Sequence, residues 1–379
     1  MSLGLAKHTH GYVEGVEGVR LLKVLTHEEA DGSPLPASSI LLWDEKRGAG
    51  SCGYVQLSEL RDSAVVQPGD VVRLREGGSL VTVLYRRGSA ANVLFATERC
   101  NSLCLMCSQP PRDEDDDWRV DELLQLVPLV DKTDPALGIT GGEPTLLGQG
   151  LVRVLDACAR ELPDTELHIL TNGRRFADAS LARDLVQAGG ERTMWAVPLA
   201  GDGPARHDEI MGADGGFNET MMGLAELAAL GARVEIRAVL HALSIPRLPE
   251  LAEFIYRRLP FVAHVALMGL EPMGYAKGNR DRLWIDPVDY LDPLYRATRF
   301  LADRGMPVSI YNLPLCVLPT SLRPFARQSI SDWKNRFPEE CAPCALKDSC
   351  AGFFASAGAA WRSRAVAPIL AEEMHHELA

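Results

Sequence analysis

The run RCNSLCLMC holds the residues of this chain best placed to do chemistry. Cys100 and Cys104 are four apart, and Cys104 and Cys107 are three apart. Thiolate sulfur is a soft ligand suited to iron–sulfur clusters and zinc. Three thiolates this close can wrap three corners of a cubic four-iron cluster and leave its fourth iron without a cysteine. An open coordination position is a catalytic feature rather than a structural one. The alternatives are buried structural cysteines or a zinc site. Structural zinc usually takes paired C-x-x-C knuckles and four protein ligands, and no fourth ligand is local here.

A second group stands near the C-terminus: Cys316 in LPLCVLP, then Cys341-Ala-Pro-Cys344 and Cys350. Four thiolates can fully ligate a second cluster, and a four-cysteine zinc site would use the same ligands. Cys158 falls on the apolar face of a helix with Leu151, Val154 and Leu155, which reads as core. Cys52 receives no role.

Three further motifs pair small or polar residues with loop positions. In ITGGEP, Gly141 and Gly142 allow a close backbone approach to a ligand and Glu143 supplies a negative acceptor. Asn172 stands in LTNGRRF, where a plain Asn-Gly turn is the alternative. Arg237 lies inside EIRAVLH, on the inner face of a strand or in a structural ion pair. His207 and Asp208 could face a substrate, although a lone histidine is more often structural.

These motifs need a scaffold, and the chain supplies a regular one. From Asn92 onward strand and helix patterns alternate. The strands read as NVLFATE, Leu137–Thr140, Leu167–Asn172, Met194–Ala200, Arg233–His241 and His264–Leu270. The helices read as Val120–Val130, Leu146–Leu162, Ala179–Ala188, Asn218–Leu230, Pro246–Arg258 and Pro287–Arg304. Six such units imply an α/β fold: a parallel sheet with right-handed crossovers, closing only part of a barrel, a partial (βα)6 barrel over 91–306. Each motif then follows a strand, at the end of the sheet where ligands of such folds bind. Residues 1–90 read as a small β-rich domain, with short apolar runs between turn clusters such as DGSPLP and QPGD. Residues 307–379 read as a loop-rich domain and tail. The acidic run Asp113–Asp117 reads as a solvated helix start.

Of the 379 residues, 46% are hydrophobic and 24% charged, the balance of a globular protein with room for a sizeable core. The net charge of −12 argues against a protein that coats a nucleic-acid backbone. The N-terminus carries no signal-peptide pattern and no apolar run reaches membrane-spanning length, so a cytoplasmic location is expected. Thiols stay reduced there, which favours metal binding over disulfides for the clustered cysteines.

The first cysteine group, on the loop after the first barrel strand, resembles the radical S-adenosylmethionine (radical SAM) superfamily. The resemblance implies that the open iron of a [4Fe–4S] cluster binds S-adenosylmethionine. Reductive cleavage of that cofactor yields a 5′-deoxyadenosyl radical, which takes a hydrogen from the substrate. It implies that Gly141, Gly142 and Glu143 meet the cofactor's amino group, Asn172 its ribose region and Arg237 its carboxylate. Met106 would flank the adenine where the family often has an aromatic residue. Pro198 stands where related enzymes often have a serine. The C-x-x-C-x5-C spacing resembles the auxiliary-cluster domains of SPASM and twitch type, which implies one auxiliary [4Fe–4S] cluster on Cys316, Cys341, Cys344 and Cys350.

Several stretches resemble a narrower family, the HxsC maturases of the His-Xaa-Ser system. Among them are CNSLCLMCSQPPR, LGITGGEPTLLG, LHILTNGR, VEIRAVLH, VSIYNLPLCVLP and RPFARQSISDWKNRFPEEC, within roughly Asn92 to Phe354. This implies a precursor peptide carrying His-Xaa-Ser repeats, a second radical SAM maturase as partner and an external electron donor. One alternative is a radical SAM enzyme acting on a small molecule, as in molybdenum-cofactor synthesis; that type usually ends in Gly-Gly, and this chain ends HHELA. Another is a non-catalytic protein with zinc in both sites.

Overall fold

The structure is a computed structural model. It describes residues 8–10, 12–13, 19–36, 39–42, 55–58, 63–74, 80–329 and 334–372. Cys52 lies outside the described residues.

The N-terminal strands are β1 (His8–His10), β2 (Tyr12–Val13), β3 (Arg20–Leu25), β4 (Ile40–Leu42), β5 (Val55–Ser58), β6 (Val71–Leu74) and β7 (Leu80–Tyr85). They form one mixed sheet in the order β1-β7-β6-β3-β4-β5-β2. Leu22, Val24, Leu41, Val72, Leu74, Val81 and Val83 form its own small core.

The second sheet is parallel. It contains β8 (Val93–Phe95), β9 (Ala136–Thr140), β10 (Glu166–Leu170), β11 (Thr193–Pro198), β12 (Arg233–Leu240), β13 (His264–Gly269), β14 (Val308–Tyr311) and β15 (Ala326–Arg327). Its order runs straight from β15 to β8, so the barrel is open. The six expected strands are all present. Two more, β14 and β15, continue the same parallel register beyond residue 306, in the stretch read as loop-rich. Only four and two residues long, they leave little periodicity in the sequence.

Alternation along the strands sets two faces. In β12, Val234, Ile236, Ala238 and Leu240 join the main core under the helices, while Glu235, Arg237 and Val239 face the concave side. That core includes α3 (Gln149–Glu161), whose Leu151, Val154, Leu155 and Cys158 are buried as its 3.6-residue period requires. It also includes α7 (Leu248–Arg258) and α10 (Leu291–Ala302), which pack on one another.

The N-terminal sheet meets the barrel on α2 (Trp118–Leu126) and on the loop from α2 to β9. Arg73 pairs with Glu122 at 2.9 Å, and the buried Tyr85 hydroxyl donates to Asp134 at 2.6 Å. Asp134 lies just before β9, at the end of the sheet opposite the cysteine loop. The N-terminal domain therefore anchors away from the loops that carry the candidate site.

Candidate active site

The cysteine loop leaves β8 and is fastened on every side. Leu105 N–H donates to Ile210 O at 2.9 Å, Asn279 Nδ2 donates to Leu105 O at 3.0 Å, and Tyr275 N–H donates to Cys107 O at 2.8 Å. Gly274, at φ 57°, abuts this loop. A Cβ there would stand 2.5 Å from both Cys107 O and Ser108 O, so glycine is required twice over. Arg174 donates to Asn101 O and, at 3.2 Å, to Ser102 Oγ.

Asp116, in the acidic run, takes part in the same framework. It is 2% exposed, accepts from Thr97 Oγ1 at 2.8 Å and Glu98 N at 2.6 Å, and pairs with Arg99 at 3.3 Å and Arg119 at 3.2 Å. The solvated helix start expected for this run describes its neighbours and not Asp116, a buried brace for the chain just before Cys100. A run of five acids hides which member turns inward.

Glu143 is fully buried. Its Oε1 accepts from Thr145 N (3.1 Å), Thr145 Oγ1 (2.6 Å) and Thr171 Oγ1 (2.7 Å), and its Oε2 accepts from Asn172 N (2.5 Å). Burial pushes its carboxyl above the ordinary value, although these hydrogen bonds pull the other way. Gly141 and Gly142 permit a close approach, and the partner they approach is the chain itself. A Cβ on Gly141 would lie 2.6 Å from Thr97 O, and one on Gly142 would overlap Arg99 O. The backbone seals the same contact, Gly142 N–H donating to Thr97 O at 2.7 Å and Glu143 N–H to Arg99 O at 2.8 Å.

Asn172 meets the cysteine loop. Its Nδ2 lies 2.5 Å from Asn101 Oδ1, 3.4 Å from Ser102 Oγ and 4.0 Å from Cys100 Sγ. Met106 is half-buried and packs against two apolar patches, one with Ala200, Ile210 and Met211, the other with Leu270, Ala276 and Leu283. The fold thus brings Cys100, Cys104, Cys107, Glu143 and Asn172 together. Arg237 Nε lies 3.2 Å from Met268 Sδ and 3.5 Å from Glu235 Oε1, on the concave side of β12.

His207 and Asp208 do not face a site. Both lie on α5 (Pro204–Met211), a helix the sequence pattern did not reveal. His207 is 1% exposed, and its Nδ1 accepts from Ala200 N at 3.4 Å. Asp208 accepts from Gly215 N (2.9 Å) and Phe217 N (2.7 Å), closing the turn into α6 (Gly216–Ala229).

The donor set of the first group fits a cluster with thiolate ligands. Burial pushes the Cys100 thiol up to about 11, with Glu143 adding to the effect, and raises Cys104 and Cys107 as well. Thiols so placed ionise when a metal supplies the missing positive charge. Met211 Sδ lies 3.9 Å from Cys104 Sγ, which makes that side of the loop apolar. In the second group, Cys350 Sγ accepts from Leu315 N at 3.3 Å and Gly352 N at 3.4 Å. Cys350, Cys316 and Cys344 pack in one cluster with Leu315 and Ile369, and Cys341 lies within electrostatic reach of the other three. All eight described cysteines are free thiols. Among the described residues, no three His, Cys, Asp or Glu side chains form a group that could hold a single metal ion.

With this geometry in view, residues 94–255 match the family model described as the Radical SAM superfamily. The chain carries a radical SAM domain, the domain of an enzyme superfamily whose chemistry uses a 4Fe–4S cluster and S-adenosylmethionine. No curated protein matches the chain. Among solved structures, native anSMEcpe with bound AdoMet is 16% identical at a TM-score of 0.43, over 57% of this chain and 62% of that one. The chain therefore spans less than two thirds of that structure's length. The same protein with bound AdoMet and Kp18Cys peptide is 15% identical at 0.49, over 76% and 94%. Coproporphyrinogen III oxidase (HemN) from Escherichia coli is 15% identical at 0.43, over 54% and 51%.

Proposed function

We propose that this protein is a radical SAM peptide maturase acting on a precursor with His-Xaa-Ser repeats. The observation that carries the catalytic part is the convergence of Cys100, Cys104 and Cys107 at the strand ends, braced through Asn172 and Glu143. The chemistry a reduced cluster supplies there, when bound, is cleavage of S-adenosylmethionine to a 5′-deoxyadenosyl radical. The chain's residues hold and shield that chemistry. Glu143 and the backbone of Gly141 and Gly142 would orient the cofactor's amino group, Asn172 its ribose side, and Met106 would cover the adenine. The apolar wall of Ala200, Ile210 and Met211 excludes water from the loop.

Cys316, Cys341, Cys344 and Cys350 are assigned to one auxiliary [4Fe–4S] cluster. Two N–H groups already point at Cys350 Sγ, the hydrogen bonding a thiolate ligand takes. The peptide substrate rests on the HxsC resemblance, as do a second maturase and an external electron donor as partners. Among the described residues, no helix is long and apolar enough to cross a membrane. A cytoplasmic location suits the free thiols.

Anaerobic reconstitution tests the reading. About eight iron and eight sulfide per chain are expected for two four-iron clusters. With S-adenosylmethionine, reductant and a His-Xaa-Ser peptide, 5′-deoxyadenosine and a mass change on the peptide should appear together. Abundant 5′-deoxyadenosine with an unchanged peptide would reject the substrate and leave the chemistry standing. Zinc without iron would reject both.

A further inference from the structure

Five aromatic rings line a cavity that the cofactor reading leaves unused: Trp284, Tyr290, Phe353, Phe354 and Trp361. It sits where β12, β13 and β14 end, with Leu240, Gly269 and Asn312 on its wall. The cysteine loop leaves β8 at this same end of the sheet. Leu270 and Leu283 also line the cavity, and both belong to the apolar patch against which Met106 and Trp361 pack. Another wall, Gly352 to Phe354, begins two residues after Cys350. It is held by two backbone bonds, Arg336 N–H to Phe353 O at 2.9 Å and Phe353 N–H to Arg336 O at 2.8 Å. The cavity therefore touches segments that adjoin both cysteine groups. It spans about 550 Å³ counted out to its open mouth, within the usual range of small-ligand sites.

Among the described residues, no acidic, basic or histidine side chain lines it. A charged guest would lose its water there without gaining a partner, which selects against charge. Aromatic faces can take a cation, but Trp361 already has the Arg280 guanidinium 5.5 Å from its ring centroid. Trp284 and Trp361 meet edge to face, with centroids 5.3 Å apart and planes at 77°. Rings set at that angle offer a flat guest one face and one edge, the contacts that aromatic pairs prefer. Asn312, at φ 63°, is the one non-glycine residue with positive φ among the described residues. Asparagine tolerates that conformation better than most side chains. Its Nδ2 donates to Gly269 O at 3.3 Å, and among the described residues its Oδ1 accepts no hydrogen bond. Asn312 thus brings an uncommitted acceptor to the cavity wall.

We propose that this cavity receives one uncharged aromatic side chain of the substrate, the neutral imidazole of a repeat histidine. Its ring packs against Trp284 and Trp361, and its N–H donates to Asn312 Oδ1. This rests on the peptide reading above and names the side chain that is read. A peptide anchored there crosses the strand ends on the side of the cysteine loop.

The test is binding, so it does not depend on turnover. Reconstituted holoenzyme with S-adenosylmethionine and no reductant is titrated calorimetrically with His-Xaa-Ser repeat peptides, above the histidine pKa. Each repeat histidine is replaced in turn by Phe, Ala or Lys. At one position Phe should bind within about threefold of His, and Ala and Lys about tenfold more weakly. Trp361→Ala should lose about tenfold on the His and Phe peptides and about twofold or less on the Ala peptide. Asn312→Gly suits the positive φ and keeps the fold. It should weaken the His peptide by about fivefold and leave the Phe peptide unchanged. Retained iron shows that each variant is folded. Equal binding of the His and Ala peptides at every position, or a His preference that survives Trp361→Ala, overturns the proposal. Loss of S-adenosylmethionine affinity in Trp361→Ala at full iron also overturns it, because the cavity would then hold the adenine. If wild type binds no repeat peptide, the peptide reading fails, and small probes decide the cavity. Equilibrium dialysis with p-cresol and butylammonium should then show p-cresol retained by wild type and lost in Trp361→Ala; equal retention by both proteins overturns it.

Discussion

Glu143 Oε2 accepts the backbone N–H of Asn172 at 2.5 Å, a bond that joins the loops after β9 and β10 beneath the cysteine loop. With Thr145 and Thr171 on Oε1, one carboxylate satisfies four protein donors in a fully buried place. Replacing it with an apolar residue strands all four. Glu143→Leu should destabilise the fold by about 3–5 kcal/mol, read from urea unfolding. Glu143→Gln keeps the shape but turns an amide toward donors, so it should fall between Leu and wild type. Equal stability of Glu143→Leu and wild type would remove this brace from the account.

Gly142 is where two loops touch. A Cβ there would overlap Arg99 O, a backbone atom that cannot yield without shifting Cys100. Gly142→Ala should therefore lower iron incorporation as well as stability. At Gly278 nothing stands within 4 Å of the corresponding position, at the end of the short helix Tyr275–Gly278. Gly278→Ala should stay within about 0.5 kcal/mol of wild type. Iron content after anaerobic reconstitution, beside the unfolding midpoint, separates the two variants.

Asp116 ties Thr97, Glu98, Arg99 and Arg119 together behind the cysteine loop. Removing one partner from a buried ion-pair network leaves the others unmatched, at about 3–5 kcal/mol. Asp116→Ala should lose that much, while Asp115→Ala, at an exposed neighbour, should be near neutral. Comparable losses in both would mean that the run acts only through its summed charge.

The sequence shows the strands of the partial barrel because period-2 alternation and interleaved helices repeat six times. It shows the cysteine groups because ligand spacing is local. What it hides is contact between loops. Nothing in GGEP says that the glycines meet Thr97 and Arg99, and nothing in DEDDD singles out Asp116. The strands β14 and β15 are too short for periodicity and are legible only through their partners β13 and β14.

Acid should weaken the fold through two histidines. His207 and His241 are each 1% exposed, and burial lowers both from 6.5 to about 4. The unfolded chain binds these protons below pH 6.5 and the folded chain does not, so stability is full above that value and falls as pH drops toward 4. Each histidine accounts for roughly 3 kcal/mol across that window. His207→Asn should flatten the acid limb by about that amount in urea midpoints compared at neutral and acid pH. An unchanged slope would mean that His207 titrates normally in the folded state.

The two cysteine groups should separate functionally. Cys100, Cys104 and Cys107 share one loop with Asn172 against it, whereas Cys350 receives N–H bonds from Leu315 and Gly352 and lies in a separate apolar cluster. Cys100→Ala, Cys104→Ala or Cys107→Ala should each abolish 5′-deoxyadenosine formation, because three thiolates are the minimum for a site-open cluster. Cys341→Ala or Cys344→Ala should cut iron by about half, spare part of the cofactor cleavage and stop peptide modification. The measurement is iron, 5′-deoxyadenosine and peptide mass on the same samples. Loss of 5′-deoxyadenosine in the Cys344→Ala protein at half the iron would mean that the second cluster feeds electrons to the first, and modification surviving in it would remove that cluster from the reaction.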